Sequence, residues 1–292
     1  MLRNRQKALL YLCQAAGGRL SDSHLQALSF LVQQETKTGG GSTFYAFLPH
    51  GGRPYSFTLA HEAMRLHAKG FFEGSPGKEW HVNGAAKEAT GSLGFELRED
   101  VYSVAKEYGG YADASLKKNI RARYPRYARK PASADRAHTE RGQYISTIGY
   151  EGLSADEFLA LLLQHQIKML IDVRSNPVAR KFGFHASTLR RLTGEIGIEY
   201  QHEPTLGIAS TARQSLDTDD DYRQLFLAYE GSVLQDETET IGRVGTLMKE
   251  TPSALMCMEA DPCYCHRSRL SSLLSKQTDL PERHIASTDT IA

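Results

Sequence analysis

From Tyr144 onward the chain alternates short apolar runs with amphipathic segments, and that alternation restricts its fold more than any other feature of its 292 residues. Residues 144–149 (YISTIG), 168–173 (KMLIDV), 196–200 and 254–258 carry no helical period and read as strands, with His284 and Ile285 a last short one. Between them, Ser154 is placed to cap a helix that puts Phe158, Leu159, Leu162 and Leu163 on one face. Ser187 or Thr188 can start another, and residues 221–229, 238–250 and 264–274 have helical spacing. Regular β-α alternation implies a largely parallel sheet covered by helices on both faces, with right-handed crossovers. The expected class is α/β and Rossmann-like.

The first 123 residues follow a different pattern. Leu9, Leu10, Leu12 and Cys13 share a helical face that Gly17-Gly18 ends, and Ser21 can cap a second helix carrying Leu25, Leu28 and Leu31. A Gly-rich turn at 38–42 leads to an aromatic run at 44–48, read as a short strand, and a third helix spans 55–69. Residues 99–120 read as one or two further helices broken at Gly109-Gly110. This is a mainly helical, winged-helix-like arrangement. Through LLYLCQAAGGRLSDSHLQAL and the turn Arg53-Pro54-Tyr55-Ser56-Phe57 it loosely resembles the helical domain of the SocA/Panacea group. Residues 124–143, rich in Pro, Ala and scattered charge, read as a basic linker, which places the second domain at 144–292.

With 40% hydrophobic residues the chain can bury a proper core, and no apolar run approaches the length of a membrane span. The amphipathic start is unlike a signal-peptide core, and three of the four cysteines (Cys257, Cys263, Cys265) crowd together far from Cys13, unlike a secreted disulfide scaffold. A cytoplasmic protein with reduced thiols is expected. A net charge of +1 names no partner, but the basic residues are unevenly placed. Lys117, Lys118, Arg121, Arg123, Arg126, Arg129 and Lys130 occur with no acid among them and with Tyr124 and Tyr127 interleaved. Such a run suits a nucleic-acid backbone, the plainer alternative being a solvated helix end and linker.

A parallel sheet gathers its carboxyl-end loops into one crevice, where ligands of open α/β folds bind. Three clusters belong there: Tyr150-Glu151, Asp172-Val173-Arg174 with Arg180, and residues 257–267. No G-x-G-x-x-G or Walker loop occurs, so the sequence predicts no dinucleotide or Walker-type cofactor. Arg174, Arg180 and Arg267 are the candidate anion ligands, because guanidinium forks match phosphate oxygens, the plainer alternative for each being an ion pair with Asp172, Glu151 or Glu259 that staples loops together. Glu259 is the preferred general base, with Asp172 and His266 as further acid–base groups. Tyr150 can stack on a ring and Glu151 can hold a ribose hydroxyl. Cys265, at a helix start beside His266 and Arg267, is a candidate low-pKa nucleophile or redox thiol. Cys257, Cys263, Cys265 and His266 also offer thiolate and imidazole to zinc or iron, although C-x5-C-x-C-H is not a standard finger spacing.

IGYEG at 148–152, DVRSNPVARKFGF at 172–184, GIEY at 197–200 and CMEADPCYCHRSRL at 257–270 resemble the DUF488 family over about half the chain. The resemblance implies a compact α/β domain, usually cytosolic and prokaryotic, with these motifs as its site, and implies no reaction. Two functions compete at this point. One is an enzyme that hydrolyses or transfers at a phosphate-containing nucleotide or nucleic-acid substrate held by the arginines. The other is a non-catalytic regulatory module that binds nucleic acid or protein and carries a small-anion or thiol-sensing pocket.

Overall fold

The computed structural model describes residues 2–128, 143–213 and 216–289, and the chain divides into two compact units, Met1–Ala132 and Ser133–Ala292. The division falls inside the segment read as a linker. Each unit has its own core.

In the first unit, α1 (Asn4–Ala15), α2 (Asp22–Glu35) and α3 (Phe57–Ala68) are followed by α4 (Gly84–Thr90), α5 (Phe95–Tyr108), α6 (Asp113–Arg123) and α7 (Pro125–Ala128). Ser21 caps α2 by accepting from the His24 N–H, and Leu25, Leu28 and Leu31 are fully buried as their spacing requires. Three short strands, β1 (Arg19–Ser21), β5 (Glu79–Val82) and β4 (Phe72–Glu73), form an antiparallel sheet in that order, and β2 (Leu48–His50) pairs with β3 (Arg53–Tyr55). Residues 44–47 are not a strand, contrary to the reading of the aromatic run. Tyr45 and Phe47 are buried in the core, so these rings pack instead of alternating across a sheet.

The start of the expected linker also differs. Tyr124 and Tyr127 set their rings edge-on against Phe30, 5.0 and 4.7 Å away, and Tyr127 is buried. Residues 124–128 therefore belong to the N-terminal core, and packing two tyrosines on Phe30 explains why the chain does not leave the domain at 123.

The second unit contains β6 (Ile145–Gly149), β7 (Met169–Asp172), β8 (Glu199–His202), β9 (Ser253–Cys257) and β10 (Glu282–Ile285), all parallel, in the order β10-β6-β9-β7-β8. Their helices are α8 (Ala155–Gln164), α9 (Ala186–Glu195), α10 (Asp219–Gly231), α11 (Val233–Asp236), α12 (Thr238–Glu250) and α13 (His266–Thr278). Ser154 and Glu157 close a capping box at the start of α8, whereas the N-cap of α9 is His185, two residues before the expected Ser187. Every residue of β6, β7 and β9 is buried, as a sheet covered on both faces demands. Successive side chains alternate between faces, so Ile171, Val173, Leu255 and Cys257 join one core with Cys265, Leu270 and Leu274 of the α13 region. Asp172 and Met256 project to the other face. Cys257, the last residue of the central strand β9, thus stands at the carboxyl edge with β6 on one side and β7 on the other.

Candidate functional site

Two clusters occupy the carboxyl edge of this sheet, separated by its pleat. The first is built on Asp172. Its carboxylate takes the Arg174 fork in two parallel bonds, Nε to Oδ1 at 2.8 Å and Nη2 to Oδ2 at 2.5 Å, and accepts the Tyr200 hydroxyl at 2.7 Å. Arg174 Nη1 donates to the Phe184 carbonyl at 3.0 Å, and the guanidinium lies 5.3 Å from the centre of the Tyr150 ring. That ring stacks on Phe184 with centroids 4.2 Å apart. Asp172 is fully buried and Arg174 5% exposed. Burial, with Asp172 beside it, raises the Tyr200 hydroxyl well above its ordinary range.

This cluster is a clasp, and it revises three expectations. Arg174 was read as an anion ligand, but its donors are taken internally. Asp172 was read as an acid–base group, but it is the counter-charge that makes burying Arg174 tolerable. Tyr150 was read as a stacking surface for a ligand, and Phe184 already covers that face.

Arg267 is also closed. It is 1% exposed, and its Nη1 and Nη2 donate to the carbonyls of Glu259 and Ala260, while Nε reaches Thr147 Oγ1 at 3.4 Å. Glu151, exposed, accepts the Ala260 N–H at 3.0 Å, and its own N–H bonds Met258 O. Both residues hold the 258–261 turn. Gly149 lets that turn approach, since a Cβ there would stand 1.8 Å from the Glu259 carbonyl oxygen. Of the three arginines expected to gather around an anion, only Arg180 is exposed, so they do not form one anion site. A guanidinium whose bonds are already made gains little from phosphate, because each new bond replaces an existing one.

The second cluster lies on the α13 face. Cys257 Sγ, Cys265 Sγ and His266 Nδ1 all lie within 4.8 Å of one another, and all three residues are buried. Cys257 ends β9 and Cys265 is the N-cap of α13, so the 3₁₀ turn between them (Pro262–Tyr264) folds the chain back on itself. Pro262 starts the turn, and Asp261 caps it by accepting the Cys263 N–H at 2.8 Å. His266 Nε2 lies 3.1 Å from the Val173 carbonyl, which can only accept. The proton is therefore on Nε2, and the Nδ1 lone pair faces the thiols, 3.8 Å from Cys257 Sγ and 4.0 Å from Cys265 Sγ. Glu259 Oε2 is 3.1 Å from Cys257 Sγ, close enough to share a proton.

Electrostatics divide the two thiols. A hydrogen bond from Cys265, with His266 nearby, holds Cys257 well below an ordinary thiol. Burial, together with Cys257, pushes Cys265 well above it. Burial, then the Cys257 charge, also raises Glu259. The low-pKa thiol expected at Cys265 is thus Cys257; desolvation outweighs the helix start. His266, read as a proton donor to substrate, faces inward between thiols and a backbone carbonyl. Cys263, read as a possible ligand, is exposed, because its side chain lies on the outside of the 3₁₀ turn.

Sequence reasoning missed Arg213. From a 3₁₀ turn (Ser210–Arg213) it donates to Glu259 Oε1 at 2.8 Å and to His266 Nδ1 at 3.2 Å, bringing a positive charge to the cluster. It lies in an irregular loop with no period or motif, so no sequence signal marked it. Tyr229 is the other missed neighbour, its ring 5.4 Å from His266 and its hydroxyl bonded to Leu206 O.

The basic run separates residue by residue. Lys117, Lys118, Arg121, Arg123 and Arg126 are exposed, with Lys117 and Arg121 one turn apart on α6. Arg123 pairs with Glu35 at 2.7 Å, Tyr124 donates to the same carboxylate at 2.9 Å, and Arg121 donates to Gly52 O. Arg129 and Lys130 lie outside the described residues.

Among the described residues no helix is long and apolar enough to cross a membrane. Neither a curated protein nor a solved structure matches the chain. Residues 154–274, from the cap of α8 to the middle of α13, match the family model DUF488, a domain of unknown function. The match falls within the C-terminal half of the chain, and the thiol cluster is built from the β9–α13 segment inside the matched residues.

Proposed function

We propose that the protein is a non-catalytic regulatory module whose C-terminal domain senses through the buried Cys257–Cys265 pair and whose N-terminal domain contacts nucleic acid. The observation that carries the first part is the convergence of two thiols, an imidazole and a carboxylate at the carboxyl edge of the parallel sheet. Two of the three arginines that a phosphate-handling enzyme would use, Arg174 and Arg267, are spent on internal bonds, which favours sensing over turnover. Reduced thiols fit a reducing, cytoplasmic setting.

In the sensing step, the Cys257 thiolate attacks one oxygen of hydrogen peroxide, breaking the O–O bond and releasing hydroxide, which takes a proton to become water. The resulting sulfenic acid is displaced by the Cys265 sulfur, forming the S–S bond and releasing a second water. Two thiols and one peroxide give one disulfide and two waters. The sulfurs must close to about 2.05 Å, so the 258–264 turn moves with them. Peroxide treatment of the intact chain followed by peptide mapping should yield a Cys257–Cys265 linkage that dithiothreitol reverses. A pair that stays reduced, or a linkage to Cys263 instead, contradicts the sensing reading.

Nucleic acid is supported by the exposed cations on α6, Lys117 and Lys118 with Arg121 one turn on. Changing Lys117, Lys118 and Arg126 to Gln should weaken binding to a DNA or RNA duplex and reduce the slope of log affinity against log salt by about 2–3. An unchanged slope would remove the nucleic-acid part of the reading.

A further inference from the structure

We infer that Cys257, Cys265, His266 and Glu259 form a binding site for a soft divalent metal ion, zinc foremost. The inference rests on the preceding one only in taking this thiol pair as the working centre of the domain; it names a ligand for it. Zinc bonds of about 2.3 Å to sulfur and 2.0–2.1 Å to nitrogen imply sulfur–nitrogen edges of about 3.6 Å in a tetrahedron. The two sulfur–nitrogen edges present are 3.8 and 4.0 Å, within a few tenths of an ångström of that geometry, and the two sulfurs lie within 4.8 Å of each other. Glu259 Oε2, 3.1 Å from Cys257 Sγ, is placed to supply the fourth.

The surroundings also suit a metal. A ligating histidine donates its other N–H to a carboxylate or carbonyl, which fixes the ring and its tautomer. His266 already does so, through Nε2 to Val173 O. Two thiolates, one carboxylate and a divalent ion sum to a single negative charge. Arg213, bonded to the outer oxygen of Glu259, supplies the balancing positive charge, and its second bond, from Nη2 to His266 Nδ1, gives way to the metal when that lone pair becomes a ligand. A thiolate-rich, nitrogen-containing donor set favours zinc and disfavours magnesium and calcium, which take oxygen ligands. Cys257, Cys265 and His266 are each at most 1% exposed and Glu259 is partly buried, and with four protein ligands the site is of the structural or sensing type.

The test uses the intact, reduced chain and Co²⁺ alone, then Zn²⁺ in competition. The expected result is one Co²⁺ per chain, with a thiolate-to-cobalt charge-transfer band and tetrahedral visible bands that Zn²⁺ abolishes. Cys257→Ser or Cys265→Ser should lose the charge-transfer band or halve it. His266→Gln and Glu259→Gln, which keep both sulfurs, should weaken Co²⁺ affinity by roughly 10–100-fold. Cys263→Ser should leave it unchanged. A folded, reduced wild-type chain that shows no such band overturns the metal site, as does a band lost on Cys263→Ser alone. If the band is absent while peroxide still links Cys257 to Cys265, the metal inference fails and the sensing reading stands; absence of both removes both.

Discussion

Replacing Arg267 by Met is expected to cost the C-terminal domain about 3 kcal/mol or more, because buried carbonyls that lose their partner each cost about 1–3 kcal/mol. Two such carbonyls, of Glu259 and Ala260, accept from this guanidinium, and Thr147 Oγ1 accepts a third, longer bond. Met fills much of the volume, so the loss reports the bonds more than a cavity. For a domain of about 150 residues, 1 kcal/mol moves the thermal midpoint by about 2–4 °C, so the C-terminal transition should fall by about 10 °C. Calorimetry on the intact chain reads it directly. A shift of less than about 2 °C would mean that the 258–261 turn is held by something other than Arg267. The same substitution should loosen the turn joining Cys257 to Cys265 and make both thiols easier to reach.

That consequence separates the present account from an arginine-centred one. In an anion site, Arg267 faces the ligand, and its loss removes binding with little effect on stability. Bonded to the 258–261 turn, it is scaffolding for the thiols, and stability falls first.

The fold was largely legible in the sequence because each strand of the second domain is a buried apolar run and each helix has a periodic face. ISTIG, MLID and SALMC each bury every residue, as a covered parallel sheet requires. The site was legible in part. The carboxyl-edge location followed from topology alone, and Cys257, Cys265, His266 and Glu259 were all named from the sequence. Their roles were not, because role depends on which way a side chain turns. The pleat sends Asp172 to one face and Cys257 to the other, while a 3₁₀ turn leaves Cys263 outside and folds Cys265 in. Arg174 looked like an anion ligand because sequence does not show that Asp172, two residues earlier, would already hold it. In the first domain, Tyr124 and Tyr127 looked like an exposed aromatic arm; both pack against Phe30, nearly a hundred residues away, and Tyr127 is buried there.

The second large effect concerns thiol access. A side chain with no exposed surface reacts with a bulky reagent only when its surroundings open, and sub-global opening in a stable core costs several kcal/mol. An opening cost of about 4 kcal/mol slows reaction by roughly a thousandfold. Cys257 and Cys265 are 0% and 1% exposed, whereas Cys263, between them in sequence, is open to solvent. Hydrogen-bonded to Asp261, the Cys263 thiol is held above its ordinary value, which slows its own reaction slightly and leaves the contrast intact. Hydrogen peroxide, little larger than water, has a far less demanding route to the buried pair than a maleimide.

Timed labelling of the native, reduced chain with N-ethylmaleimide, read by peptide mass spectrometry, therefore tests the buried thiol centre most directly. Cys263 should label at the rate of an open thiol, with Cys257 and Cys265 slower by about a thousandfold until denaturant is added. Labelling of all three at similar rates in the folded chain would contradict the account.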